Sequence, residues 1–166
     1  MELGGKTVGS LSQENEKSGR IVFGEYLHKV DDKGRVIIPA DFREELGNKF
    51  MVTKDLIERC LKLYSMDDWK RLVEKYEKLP SSNKAVQMQR RLLFQSAALC
   101  EIDKQGRITI PYKLREDTGI GKEVAIAGDG NKAEIWDKDT REAYFANTDI
   151  SLEKAAEIVA ELEKAL

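Results

Sequence analysis

The strongest constraint on this chain is that it contains the same segment twice. The stretch from Val30 to Gly47, VDDKGRVIIPADFREELG, recurs 72 positions later, from Ile102 to Gly119, as IDKQGRITIPYKLREDTG. Eight of the 18 positions are identical without a gap, and several others exchange one aliphatic for another, so the chain reads as a duplication. The same offset pairs Leu27 with Leu99, Val52 with Val124, and Leu63-Tyr64 with Ile135-Trp136. Two units of about 72 residues therefore account for the chain from about position 21 onward. Residues 1–20, rich in Gly, Ser and charge, fall outside the repeat and read as a flexible tail, a cloning remnant or an upstream start. Gly4-Gly5-Lys6-Thr7 is a poor phosphate loop, because it lacks the earlier glycine and a flanking strand.

Within each unit the pattern predicts strands and a short helix. Phe23 to Val30 and Arg35 to Pro39 read as two strands around Asp32-Lys33-Gly34, a hairpin whose third loop residue must adopt a left-handed backbone. Gly34 and Gly106 occupy that position, and Asp31 then faces Arg35 as Asp103 faces Arg107. Pro39 and Pro111 end the second strand and open helices over Ala40 to Leu46 and Tyr112 to Thr118, with Gly47 and Gly119 as stops. Further strands are expected at Phe50 to Thr53, Leu61 to Tyr64, Val124 to Ala127 and Ala133 to Trp136. Trp69, Leu72, Val73 and Tyr76 recur at helical spacing behind Ser65 and Asp68, and a second helix covers roughly Asn83 to Ala97. Leu152, Ala155, Ala156, Val159, Leu162 and Leu166 share the face of a closing helix, expected to pack on its own subunit, with a neighbouring copy as the runner-up. Sheets this short hardly bury a core alone, so the two copies should pack about a pseudo-twofold axis.

Composition removes other classes. With 28 Lys+Arg against 30 Asp+Glu and 41% hydrophobic residues, the chain is globular rather than disordered. No run approaches 18 apolar residues and no secretory signal opens the chain, so a cytoplasmic protein is expected. His28 is the only imidazole and Cys60 lies far from Cys100, so neither a metal site nor a nucleophile relay can be drawn. No enzyme activity and no cofactor are expected.

The duplicated Asp-x-x-x-Arg, followed by aliphatics, Pro and a short helix, resembles the MraZ family. Phe23-Gly24-Glu25-Tyr26, Cys60-Leu61-Lys62-Leu63-Tyr64 and Glu134-Ile135-Trp136-Asp137 are similar to that family too. The resemblance implies an α+β chain: a tandem duplicated AbrB-like swapped-hairpin β-barrel with intervening and C-terminal helices. It divides the chain into a tail (1–20), a first AbrB-like repeat (25–68), linking helices (69–96), a second repeat (97–140) and a C-terminal helical segment (141–166). It implies a sequence-specific double-stranded DNA-binding transcriptional regulator of the bacterial cell-division and cell-wall gene cluster. Such a regulator acts at the nucleoid, as a ring-shaped oligomer on direct repeats in its own upstream region.

Under that resemblance Arg35 is the first candidate for DNA contact, since a guanidinium can take a guanine edge bidentately or clamp a phosphate. The residues themselves leave open an Asp31–Arg35 pair that only fixes the turn. Lys29 and Lys33 would hold phosphates, Arg107 would either repeat the contact or support packing, and Asp31, Gly34, Asp103 and Gly106 would orient the motif. The window from His28 to Arg43 carries one excess positive charge, a weak electrostatic signal that a multi-copy ring would multiply by avidity, roughly 10²- to 10⁴-fold. Lys84, Arg90 and Arg91 read as a solvated helix face or as ring ion pairs rather than as DNA contacts, and Trp69, Tyr76 and Trp136 as core or interface aromatics. The alternative is a protein-interaction module, an antitoxin-like partner binder or a scaffold ring.

Overall fold

The structure is a computed structural model and describes residues 21–166; the readings made of residues 1–20, Gly4-Gly5-Lys6-Thr7 included, lie outside it. Eight strands and six helices follow one another in the described residues. The first half supplies β1 (Glu25–Lys29), β2 (Arg35–Ile37), α1 (Ala40–Leu46), β3 (Lys49–Lys54), β4 (Leu61–Ser65), α2 (Met66–Glu77) and α3 (Lys84–Ser96). The second supplies β5 (Ala98–Glu101), β6 (Arg107–Thr109), α4 (Tyr112–Thr118), β7 (Glu123–Gly128), β8 (Ala133–Asp137), α5 (Lys138–Ala146) and α6 (Leu152–Glu163).

All pairing is antiparallel, in a six-stranded sheet of order β1-β7-β8-β4-β3-β5 and a two-stranded ladder of β2 with β6. The two halves interleave. β1 adds to β7 of the second half, and β5 adds to β3 of the first. β2 and β6 meet with Val36 opposite Ile108, and the ladder is extended by Ile38 N–H donating to Gly106 and Ile110 N–H to Gly34.

The expected hairpin is therefore corrected. Its turn forms, but β1 and β2 are not ladder partners, because Val30 N–H donates to the Lys122 carbonyl while β2 finds its mate in the other half. The constant offset is corrected as well. Val52 lies opposite Leu63 and Ile126 opposite Ile135, so the counterpart of Val52 is Ile126 and not Val124. The second half has extra chain between Gly119 and Lys122, and a shorter connection, Asp129 to Lys132 against Asp55 to Cys60, restores the register.

One apolar core is shared by both halves. Val36, Ile38, Ile108 and Ile110 from the small ladder, with Phe42, Leu46 and Leu114 from α1 and α4, meet Phe50, Val52, Leu61, Leu63, Val124, Ile126 and Ile135 from one face of the large sheet. Alternation sends Thr53 and Trp136 to the opposite face. There Thr53 Oγ1 donates to the Leu93 carbonyl of α3 at 2.7 Å, and Trp136 packs on Tyr144 of α5. Helix ends follow the expected chemistry: Ser65 caps α2 and Asn83 caps α3, while Gly47 and Gly119 end α1 and α4 at positive φ.

Two helical expectations change. The periodicity points to one closing helix, whereas α5 precedes it, started by the Asp137 carboxylate accepting the Thr140 N–H. The apolar stripe of α6 does not pack on its own subunit: Leu152 is 90% exposed and Leu162 64%. No helix among the described residues is long and apolar enough to cross a membrane.

Candidate nucleic-acid interface

Each unit builds the same turn from the same few atoms. Gly34 N–H donates to the Asp31 carbonyl, Asp31 N–H to the Arg35 carbonyl, and Gly34 sits at φ +79°, where a side chain would be strained. The Asp31 carboxylate closes the loop from inside. Its Oδ1 accepts the N–H groups of Lys33 (3.0 Å) and Arg35 (2.8 Å), and its Oδ2 holds Arg35 Nε at 2.7 Å. In the second unit Asp103 Oδ1 takes the N–H groups of Gln105 and Arg107, both at 2.9 Å, and Oδ2 holds Arg107 Nε at 2.9 Å. Gly106 stands at φ +78°.

This arrangement has an electrostatic consequence. The backbone N–H of Arg35, then its guanidinium, hold the Asp31 carboxyl below its usual value, and Arg107 does the same to Asp103. Both arginines are partly exposed, with side chains 31% and 24% accessible. Because each fork is gripped through Nε, the Nη edges of Arg35 and Arg107 make no hydrogen bond among the described residues. An aimed guanidinium with a free double-donor edge can bind a phosphate, a carboxylate or a guanine edge.

Two further arginines complete the turns from across the molecule. The Arg115 guanidinium of α4 lies over Gly34, whose added Cβ would stand 2.7 Å from it, and Arg43 of α1 covers Gly106 reciprocally. Arg115 Nε donates to the Ile110 carbonyl at 3.0 Å and its guanidinium lies over the exposed Tyr112 ring, 5.4 Å from the centroid. The buried Arg43 Nε has no hydrogen-bond partner among the described residues. Sequence reading gives neither arginine a role, although both are identical at the repeat offset, because the contact each makes belongs to the other half's turn.

Lys29 ends β1 opposite Glu123, on the side of the turn from which Val30 is hydrogen-bonded to Lys122. Lys33 is exposed at the turn tip, and His28 lies in β1 opposite Val124. Arg35, Lys33 and Lys29 therefore gather at one turn, whereas Arg107 belongs to the other, which leaves from the opposite end of the β2–β6 ladder. Arg90 and Arg91 ride on α3, with Arg90 over Phe94 in a ring cluster that includes Trp69 and Tyr76. Cys60 and Cys100 are buried free thiols. Among the described residues no group of three or more His, Cys, Asp and Glu side chains could hold a metal ion.

The chain is similar to known proteins over most of its length. The family model described as "MraZ protein, putative antitoxin-like" matches residues 21–92 and again 93–161. A protein named Transcriptional regulator MraZ from Caldanaerobacter subterraneus subsp. tengcongensis is 48% identical over 137 residues, 82% of this chain and 95% of its own length. One of the same name from Acetivibrio thermocellus is 48% identical over 140 residues, covering 84% of this chain and 97% of its own. Among solved structures, the solution structure of PHS018 from Pyrococcus horikoshii covers 66% of this chain and 91% of that chain, at 20% identity and a TM-score of 0.30, too distant to bear on the fold.

Proposed function

Because the chain belongs to the MraZ family, we propose that it is a transcriptional regulator that binds double-stranded DNA through its aspartate-gripped turns. The observation that carries this reading is the free Nη edge of Arg35, held at a turn tip beside Lys33 and Lys29. In this proposal Arg35 reads a base edge or clamps a phosphate, Lys33 and Lys29 neutralise phosphates, and Arg107 offers a second contact from the other turn. Asp31, Gly34, Asp103 and Gly106 orient the contacts. The fold is then a swapped-hairpin barrel of two AbrB-like repeats, acting in the cytoplasm at the nucleoid.

Self-association belongs to the same reading. The two turns leave from opposite ends of one short ladder, so a single subunit engages little DNA, and a ring would present the turn repeatedly to direct repeats. The bare stripe of α6 supports it, as does an apolar groove of about 620 Å³ beside Leu92, Ala98 and Leu114. In the first half Tyr26 takes the place of Ala98 and packs on Phe42. By family likeness the target is the control region of the cell-division and cell-wall cluster. Mobility shift on duplex DNA carrying tandem repeats, at two salt concentrations, tests the reading: wild type binds with a steep loss as salt rises. Arg35→Ala should lose about 1–3 kcal/mol of binding, roughly 5- to 150-fold.

The second reading, an antitoxin-like protein binder, is favoured by the same groove and bare helix. Stoichiometric co-purification with a protein, and no affinity for DNA, would decide for it.

A further inference from the structure

A residue on the axis of a duplication faces its own duplicate. The axis relating the two halves crosses the small ladder at Val36, opposite Ile108, and the large sheet at Lys62, opposite Glu134. Each of these pairs is separated by the repeat offset of 72. Around the second point Leu61 lies opposite Ile135 and Leu63 opposite Ala133, the same pair of positions read in both directions.

At the first point the two aliphatics are nearly interchangeable, so nothing there distinguishes one half from the other. At the second point the halves have diverged to opposite charges. Lys62 Nζ forms an ion pair with Glu134 Oε2, and it also lies 3.4 Å from Asp129 Oδ2 and 3.7 Å from Asp55 Oδ1. Trp136 Nε1 donates to Glu134 Oε1 at 3.0 Å, fixing the carboxylate from its own strand. The Lys62 and Glu134 side chains are 12% and 20% exposed, so water and salt screen them weakly.

We propose that Lys62 and Glu134 select which halves pair: a first half accepts a second half and rejects another first half. Strand exchange across the axis makes such selection necessary, since β1, β2, β5 and β6 all pair outside their own half and their mates offer similar aliphatic edges. Two first halves from different copies would set Lys62 directly against Lys62, each keeping only the more distant Asp55 of its own half, and two second halves would set Glu134 directly against Glu134 with only Asp129 carboxylates beside them. Like charges directly opposite on adjacent strands repel, which is a recognised means of excluding wrong partners.

Carbodiimide, which joins a lysine to a carboxylate in direct contact, reads the pairing without depending on any larger assembly. Wild type should give the Lys62–Glu134 link. A Lys62→Glu chain carries two acids on the axis and a Glu134→Lys chain two bases, so every pairing within either variant sets like charges directly opposite each other. Every pairing between the two variants sets opposite charges there. When ¹⁵N-labelled Lys62→Glu is refolded together with unlabelled Glu134→Lys, mixed-isotope peptides should appear. Among them should be one that joins the substituted position of the labelled chain to Lys62 of the unlabelled chain, a first half on a first half. The exchanged chain, Lys62→Glu with Glu134→Lys, should regain the wild-type melting temperature and yield a link between its two substituted positions within one isotope. Failure of either variant alone to fold, rescued by mixing, supports the proposal. It is overturned if the mixture gives no first-half to first-half link, if mixing rescues nothing, or if the exchanged chain stays as unstable as the single variants.

Discussion

One carboxylate at each turn does three jobs: it receives two backbone N–H groups, grips a guanidinium, and leaves that guanidinium's far edge free. The pH dependence follows from the direction of the shift. Asp31 and Asp103 have folded-state values lowered from the ordinary 3.8, so the stability they contribute is complete above that value and is lost as pH falls through the lowered one. The protection of the Lys33, Arg35, Gln105 and Arg107 amides, taken relative to the intrinsic exchange rate at each pH, should therefore hold from neutral pH down through 3.8 and fall only in stronger acid. Because the Arg35 backbone N–H is the largest cause of the Asp31 shift, Arg35→Ala should leave Asp31 titrating below 3.8 in an NMR titration. Gly34→Ala should cost about 1–2 kcal/mol in denaturant unfolding, since an alanine at positive φ is strained. It must also displace Arg115. The roles of Asp31 and Gly34 could be proposed from spacing alone, because the contacts that close the turn lie within five residues of chain, whereas the Ile110 and Arg115 contacts of Gly34 could not.

Among the elements, local chemistry makes some legible and long-range pairing hides others. Helices over Ala40–Leu46 and Tyr112–Thr118 follow from Pro and Gly at their ends. The exchange of β1 and β5 between halves does not follow, since an alternating strand shows which face is buried but not which neighbour it joins. Val124 matches Val52 only under a fixed offset, which cannot show the extra chain before β7. Helix α5 escapes sequence reading because its residues lack a buried stripe: none of Lys138–Ala146 is buried, and it is held by its Asp137 cap, by Trp136 on Tyr144, and by Arg141 paired with Glu25 at 2.8 Å. Arg43 and Arg115 stay without a role for the same long-range reason. The interleaving makes β2 and β6 one structural unit. Ile110→Ala, at a fully buried position next to the Arg115 contact, should cost about 2–5 kcal/mol by urea unfolding and should loosen the turn at Gly34 in the other half. An effect confined to α4 and β6 would contradict that linkage.

The whole molecule presents two features that a single subunit leaves unused: an apolar stripe on α6 and a pair of turns at opposite ends of a short ladder. Both fit a protein that works in multiple copies. Light scattering of the 18.9 kDa chain should give a mass several times larger, and Leu162→Glu should reduce it. The net charge of −2 makes the point sharper, because a subunit with no net positive charge would need several aimed arginines to hold the DNA proposed for it. A fluorescence anisotropy titration of wild type and Arg35→Ala, on duplexes bearing one repeat and several, weighs all of this together. Added repeats should tighten wild-type binding well beyond their number, with a steep salt dependence, and Arg35→Ala should lose most of that gain while keeping its oligomeric mass. Equal affinity of mutant and wild type for the multi-repeat duplex, at every salt concentration, would rule out DNA contact through the Arg35 turn.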